Sequence, residues 1–265
     1  MAKYHGNGIG QLLGDDLVTG EPLITGGSIW YVHSTNGVDS AGYGVGEENP
    51  MATLAYAVAA AVAGDIIVLL DGHNETITTE VTLSLAALVV VGAGKDGNNR
   101  PTVKLKWDTS SGDGTIQVTA ADIEIRNVWF EVHTSFSVGY HLSMESAGWR
   151  LKDCVFECST LLSATSVQSS ASGEAKYCEW ISTETNLSAP PVTGLNQTAG
   201  ALILDSCIFD GGISPWSNAA FSQESALPLR VRNPSLLNGA DFKINSSSNF
   251  YMLGGIFTGN SEVNV

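Results

Sequence analysis

The chain has 265 residues, of which 43% are hydrophobic and 15% charged, and 12 basic residues against 27 acidic ones give a net charge of −15. That hydrophobic content excludes disorder, which needs few apolar residues and many charges. The missing cations argue against a nucleic-acid partner, which draws on Lys and Arg to displace counterions from phosphate. The same acidity favours solubility and would repel an anionic membrane, and no stretch approaches the ~18 apolar residues of a membrane span. So few charges also leave Ser, Thr, Asn and Gly to cover the surface, as in extended β proteins.

Residues 1–28 carry Gly6, Gly8, Gly10, Gly14, Gly20, Gly26 and Gly27 among scattered apolar side chains at Ile9, Leu12, Leu13, Leu17, Leu23 and Ile24. No period of 2 or 3.6 is sustained, so the segment reads as an extended or irregular arm with apolar anchors. Its start lacks the apolar centre of a signal peptide, and synthesis in a cytosol is expected. Residues 28–33 (Ser-Ile-Trp-Tyr-Val-His) read as a strand, and 36–49 as a Gly/Ser/Asp loop. Asn49-Pro50 then supplies a helix cap and a first-turn proline. Met51, Leu54, Ala55, Val58 and Val62 share one helical face and Gly64 ends the run, which predicts an apolar capping helix over 51–63. The chain thus divides into an arm (1–28), a strand, loop and capping helix (29–63), and a repetitive β region (64–265).

An internal repeat dominates that last region. Segments 123–130, 149–156, 173–180, 202–209, 229–236 and 250–257 align without gaps and end on Phe130, Phe156, Trp180, Phe209, Leu236 and Phe257. The separations are 26, 24, 29, 27 and 21 residues. A coil of this length holds two or three short strands and cannot bury its inner face alone. Stacking coils ~4.8 Å apart pairs every strand with those above and below and turns equivalent positions into columns. One column would be aromatic. Another would hold Val128, Cys154, Cys178 and Cys207, buried and reduced; with Cys158 these are the four cysteines, and no spacing suits zinc. The leucine-rich repeat pattern is missing, and propeller blades need ~40 residues. The expected fold is all-β: a single-stranded right-handed parallel β-helix, a solenoid whose open N-terminal end the 51–63 helix plugs.

The order Trp30-Tyr31-Val32-His33, then Asn49-Pro50-Met51, then Gly64-Asp65-Ile66-Ile67-Val68 resembles the opening of pectate-lyase-like β-helix proteins. The resemblance spans about residues 29–94 and, through the repeat, the remaining coils. It bears on fold far more than on function, because that fold hosts lyases, hydrolases and inert virion parts.

Enzymes of this fold use calcium-binding acids with an Arg or Lys base, or paired carboxylates. The position after each aromatic reads Glu131, Glu157, Ile181, Asp210 and Thr258, so adjacent coils would set Glu131 beside Glu157. Glu131, Glu157 and Asp210 are therefore the candidate catalytic acids. A second column reads Arg126, Lys152, Lys176, Asp205 and Arg232. Mixed charges on outward positions also make an ordinary solvated face, and no cluster of acids surrounds one Arg, so neither metal nor cofactor is expected. His73 reads as a turn residue, and residues 96–100 (Asp-Gly-Asn-Asn-Arg) as a loop. Residues 92–95 (Gly-Ala-Gly-Lys) imitate a phosphate loop without its Lys-Ser/Thr ending. Trp107 and Trp216 are candidates for exposed glycan-binding rings.

A β-helix without an export signal suits a bacteriophage particle, assembled in the host cytoplasm and released by lysis. The chain resembles phage β-helix proteins of the tailspike and head-decoration kind, and is short for a tailspike that degrades polysaccharide. A structural protein of the virion surface is expected, a capsid decoration or head fibre, bound to the major capsid protein or another virion protein. Its arm would supply the contacts through Tyr4, Ile9, Leu12, Leu13 and Leu17. The alternatives are a tailspike depolymerase and a module that binds a host-surface glycan. The resemblance also implies a homotrimer, which surplus apolar residues such as Val138, Tyr140, Leu161, Leu162, Val167, Leu187 and Ile213 would help to bury.

Overall fold

In a computed structural model of the chain, the structure describes residues 27–107, 115–132, 140–158, 165–183, 193–212, 216, 219–224, 226–245, 248–259 and 263–264. They form a right-handed parallel β-solenoid of three sheets, with nine, eight and eight strands. Each coil runs from a strand of the first sheet, round a tight corner, to a strand of the second, then to one of the third. One such coil is Trp149–Lys152, Val155–Cys158 and Thr165–Ser169. Every strand inside a sheet pairs in parallel with its equivalents in the coils before and after. Pairing starts before residue 64, because the strand Ile29–Val32 lies at the edge of the first sheet against Ile66–Leu69.

The aromatic column forms as its spacing predicts. Leu105, Phe130, Phe156, Trp180, Phe209, Leu236 and Phe257 are register partners in successive coils. Phe130 and Phe156 stack with centroids 4.9 Å apart, Phe156 and Trp180 at 5.0 Å, and Trp180 and Phe209 at 4.7 Å. The separation that strand pairing imposes, ~4.8 Å, falls within the range that offset ring stacking prefers. Backbone and side chains therefore want the same period. Cys154, Cys178 and Cys207 are buried and free, and burial raises the thiol pKa of Cys178 and pushes that of Cys207 up to about 12. The side chain of Cys158 lies outside the described residues.

The corner between the first and second sheets requires one residue in the left-handed region. Asn127 (φ 52°), Asp153 (52°), Tyr177 (54°), Ser206 (54°) and Asn233 (45°) fill it in turn. Asn and Asp tolerate that conformation best. The Asn127 amide also donates to the carbonyls of Gly92 and Gly94, at 2.8 and 3.0 Å, which gives residues 92–95 a structural role in that corner.

The capping helix is shorter than expected. Helix α1 covers Leu54–Ala60, and its cap is Thr53, whose hydroxyl accepts from the Tyr56 amide. Met51 is taken by the neighbouring strand: its amide donates to the Tyr31 carbonyl, and its carbonyl accepts from His33. Asp39 accepts from the Ala52 and Thr53 amides and so holds the entry. The exit is held by Asp65, which accepts from Val62, Ser28 and the Trp30 indole at 2.9, 2.6 and 2.8 Å. Burial would raise the Asp65 carboxyl pKa, but these three donors outweigh it and hold it below its usual value.

His73 closes the turn over residues 70–73, its amide donating to the Leu70 carbonyl at 2.9 Å, and its side chain is fully buried. Its Nδ1 accepts from the Ser34 amide, so Nε2 carries the proton and donates to Glu75 Oε2 at 3.0 Å. That oxygen also accepts from the Leu54 amide at 2.9 Å. Glu75 occupies the first place of the inward column that continues with Leu105 and Phe130. An acid is tolerated there because the first turn of α1 lies over it. Among the described residues no helix is long and apolar enough to cross a membrane.

Candidate functional site

Two columns of side chains face outward from the second sheet. One reads Lys104, Trp129, Val155, Glu179 and Ile208, the other Lys106, Glu131, Glu157, Ile181 and Asp210. Glu131 and Glu157 are register partners, as their spacing predicts, whereas Asp210 is cut off from them by Ile181. Glu131 is buried beneath two ammonium groups, with Lys104 Nζ at 2.9 Å and Lys106 Nζ at 3.8 Å. Lys104 also lies 4.2 Å from the centre of the Trp129 ring. Glu157 accepts from the Trp129 indole at 2.9 Å, and Asp210 from the Gly212 amide and the Asn238 side chain. Hydrolysis by a carboxylate pair needs one acid that can give a proton and one carboxylate open to attack. Here each acid is occupied by a neighbour in the fold.

The first sheet repeats this arrangement. The column Arg126, Lys152, Lys176, Asp205 and Arg232 stands as expected. Glu124 gathers Arg126, Arg150 at 3.1 Å and Lys152 at 3.8 Å.

A cleft of about 320 Å³ opens beside the corner between these sheets, lined among others by Lys95, Arg100, Asp153, Tyr177, Glu179 and Ser206. The 96–100 loop that forms one wall is closed by Asp96, which accepts from the Asn98 and Arg100 amides at 2.8 and 2.9 Å. The closed loop carries Arg100 to Glu179, 2.9 Å away. Burial raises the Glu179 carboxyl pKa, with Arg100 opposing and Asp210 adding to the rise. Burial also raises that of Asp153, against the attraction of Lys95, Arg126, Lys152 and Lys176. At the rim Tyr177 is 44% exposed with its backbone in the left-handed region. A bulky residue in that conformation is strained, and strain of this kind gathers at functional positions.

Sequence reasoning missed this cleft, although one signal was available. In the repeat alignment Tyr177 stands where the other coils have Asn127, Asp153, Ser206, Asn233 and Gly254. The expected glycan-binding rings are wrong: Trp107 and Trp216 are buried in the core, because both point inward, and the half-buried Trp side chains are Trp30 and Trp129. Tyr4, Ile9, Leu12, Leu13 and Leu17 lie outside the described residues, as do Val138, Leu161, Leu162, Leu187 and Ile213; Val167 is core. No group of three or more His, Cys, Asp or Glu suited to a metal ion occurs among the described residues.

No family model and no curated protein matches the sequence. Among solved structures, a pectin methylesterase from Aspergillus niger superposes with a TM-score of 0.55 at 10% identity, over 90% of this chain and 86% of that one. A pectate lyase superposes with a TM-score of 0.51 at 11% identity, over 88% and 78%. At such identities the likeness is one of fold: the chain is a parallel β-helix built like those of pectin-degrading enzymes.

Proposed function

We propose that the chain is a structural protein of a bacteriophage particle, carried on the virion surface as a capsid decoration or head fibre. The observation that carries this reading is the occupied state of the outer columns. Glu131, Glu157, Asp210 and Glu124 each hold a neighbouring cation or N–H group. Among the described residues, these four acids offer no open pair. Support also comes from the sequence, with its acidic, cation-poor composition and its Gly-rich arm. Three copies would associate laterally in the host cytoplasm, and the arms, through Tyr4, Ile9, Leu12, Leu13 and Leu17, would grip the major capsid or another virion protein. Three arms on one trimer raise the effective concentration of each.

Immunogold microscopy tests this reading, with antibody raised to the recombinant chain and applied to intact particles of a phage that carries the gene. Labelling of the particle surface is expected. Signal confined to the particle-free lysate overturns the reading.

One observation favours a second reading, cleavage or binding of a host-surface polysaccharide. The cleft sets Asp153 and Glu179, whose carboxyl pKa values burial raises, beside Arg100 and the strained Tyr177. A raised carboxyl is what a general acid requires. Release of reducing ends or unsaturated products from pectins or bacterial capsular polysaccharides, lost in Glu179→Gln, would favour it.

A further inference from the structure

A neutral imidazole accepts a hydrogen bond at its bare nitrogen, and protonation removes that capacity. Two rings at the N-terminal end of the solenoid serve as such acceptors. The Ser34 amide donates to His73 Nδ1 at 3.0 Å, and the Thr35 and Asn36 amides donate to His33 Nδ1 at 3.1 and 3.3 Å. Three consecutive backbone N–H groups therefore rest on two imidazole nitrogens. The loop that they open covers the outer edge of the Ile29–Val32 strand and the entry to α1. Along it the Gly44 carbonyl accepts from the Tyr31 amide, the Val38 amide donates to Pro50, and Asp39 accepts from Ala52 and Thr53.

We propose that His33 and His73 form an acid-sensitive latch on this loop: protonation of the two rings releases residues 34–36 and loosens the cover of the N-terminal end. With a proton on Nδ1, each ring turns an N–H toward an amide that is itself a donor, and a bond becomes a repulsion. The hold is therefore complete where the imidazoles are neutral and fades as they take up protons. The surroundings of His73 accommodate the added charge, because its Nε2 already faces Glu75 Oε2 at 3.0 Å. The loss then falls on the Ser34 amide. Ser34 keeps a second tie, its hydroxyl accepting from the Asn74 amide at 2.9 Å, so the loop is loosened there rather than cast off. Among the described residues no other carboxylate lies within ion-pair distance of either ring. Charged side chains on the elements packed around them are engaged elsewhere, Asp39 on Thr53, Asp71 on Thr102, and Lys104 and Lys106 on Glu131. Glu47 and Glu48, later in the loop, are exposed, and α1 carries no charge. The latch does not depend on the phage reading.

Nuclear magnetic resonance of the full, isotope-labelled chain tests the latch. At about pH 8 both rings are expected to carry their proton on Nε2, and a proton on Nδ1 of either overturns the proposal. From about pH 8 to about pH 5 the Ser34, Thr35 and Asn36 amide signals should move together with the ring signals. Hydrogen exchange at Ser34, corrected for the chemical rate, should quicken roughly tenfold over that range, with the later coils unchanged. His33→Asn is the control, because the Asn oxygen accepts in place of Nδ1 and does not titrate. It should abolish the response at Thr35 and Asn36 and keep that at Ser34. His73→Asn should do the reverse; if it does not fold, the wild-type Ser34 signal followed against the His73 ring decides that half. Rings that titrate while the three amides stay still overturn the proposal. So does a His73 ring that takes up no proton above about pH 5, or a response at Thr35 and Asn36 that survives in His33→Asn.

Discussion

Phe156→Ala tests the central physical claim, that the coils are held in register by one aromatic column. Phe156 is 2% exposed and lies between Phe130 and Trp180, stacked on both. Truncating a buried Phe to Ala costs about 3–5 kcal/mol, part of it for the cavity left behind. Two stacked contacts, each worth roughly 0.5–1.5 kcal/mol beyond burial, are lost together, which points to the upper half of that range. Phe257→Ala is the matched control: it shares the column but lies in the last paired coil, 42% exposed, and should cost under about 1 kcal/mol. Phe156→Leu keeps most of the volume and should cost less than about 1.5 kcal/mol. Urea unfolding followed by circular dichroism gives these differences from the midpoints, provided the slopes agree. A loss below about 1 kcal/mol for Phe156→Ala, or equal losses at Phe156 and Phe257, would refute the column as the source of stability.

Asp65→Ala removes the acceptor of three N–H groups and should cost about 2–3 kcal/mol at neutral pH. Because the folded carboxyl is held below its usual pKa, the wild-type advantage is complete above the ordinary carboxylate range and fades as pH falls through the depressed value. A gap between the two unfolding midpoints that does not change on acidification would contradict this. Tyr177→Asn replaces a strained aromatic by a residue suited to the left-handed corner and should raise stability by about 0.5–1 kcal/mol; a loss in the same urea assay would show that the ring is held by packing. Cys154, Cys178 and Cys207 should resist iodoacetamide in the native protein at neutral pH and react once it is unfolded. A stoichiometric disulfide or bound zinc in the intact mass would contradict that.

The solenoid was legible because its physics is periodic. Phe130, Phe156, Trp180 and Phe209 recur at nearly one coil length, and the strand spacing turns that recurrence into stacked rings. The helix ends were not legible, because they depend on side chains distant in sequence. Asp39 takes the Ala52 and Thr53 amides and Asp65 takes the Val62 amide, so residues with good helical spacing at 51 and 62 fall outside α1. The turn at His73 was legible but its buried partners were not, since Ser34 and Glu75 reach its ring only after the first coil closes.

The outer columns could be read one coil at a time, which is how Glu131 and Glu157 were found side by side. The cleft could not, because Arg100 reaches Glu179 across 79 residues. Yet a parallel solenoid leaves a trace of such sites in its sequence. Every column has a residue type that the repeat demands, and a departure survives only where something local outweighs the repeat. Glu75 departs from the inward apolar column, and it caps α1. Tyr177 departs from the Asn/Asp corner column, and it stands at the rim of the cleft. Both departures coincide with a local feature that stacking of coils alone does not supply. In this fold, function is to be sought where a column breaks its own rule.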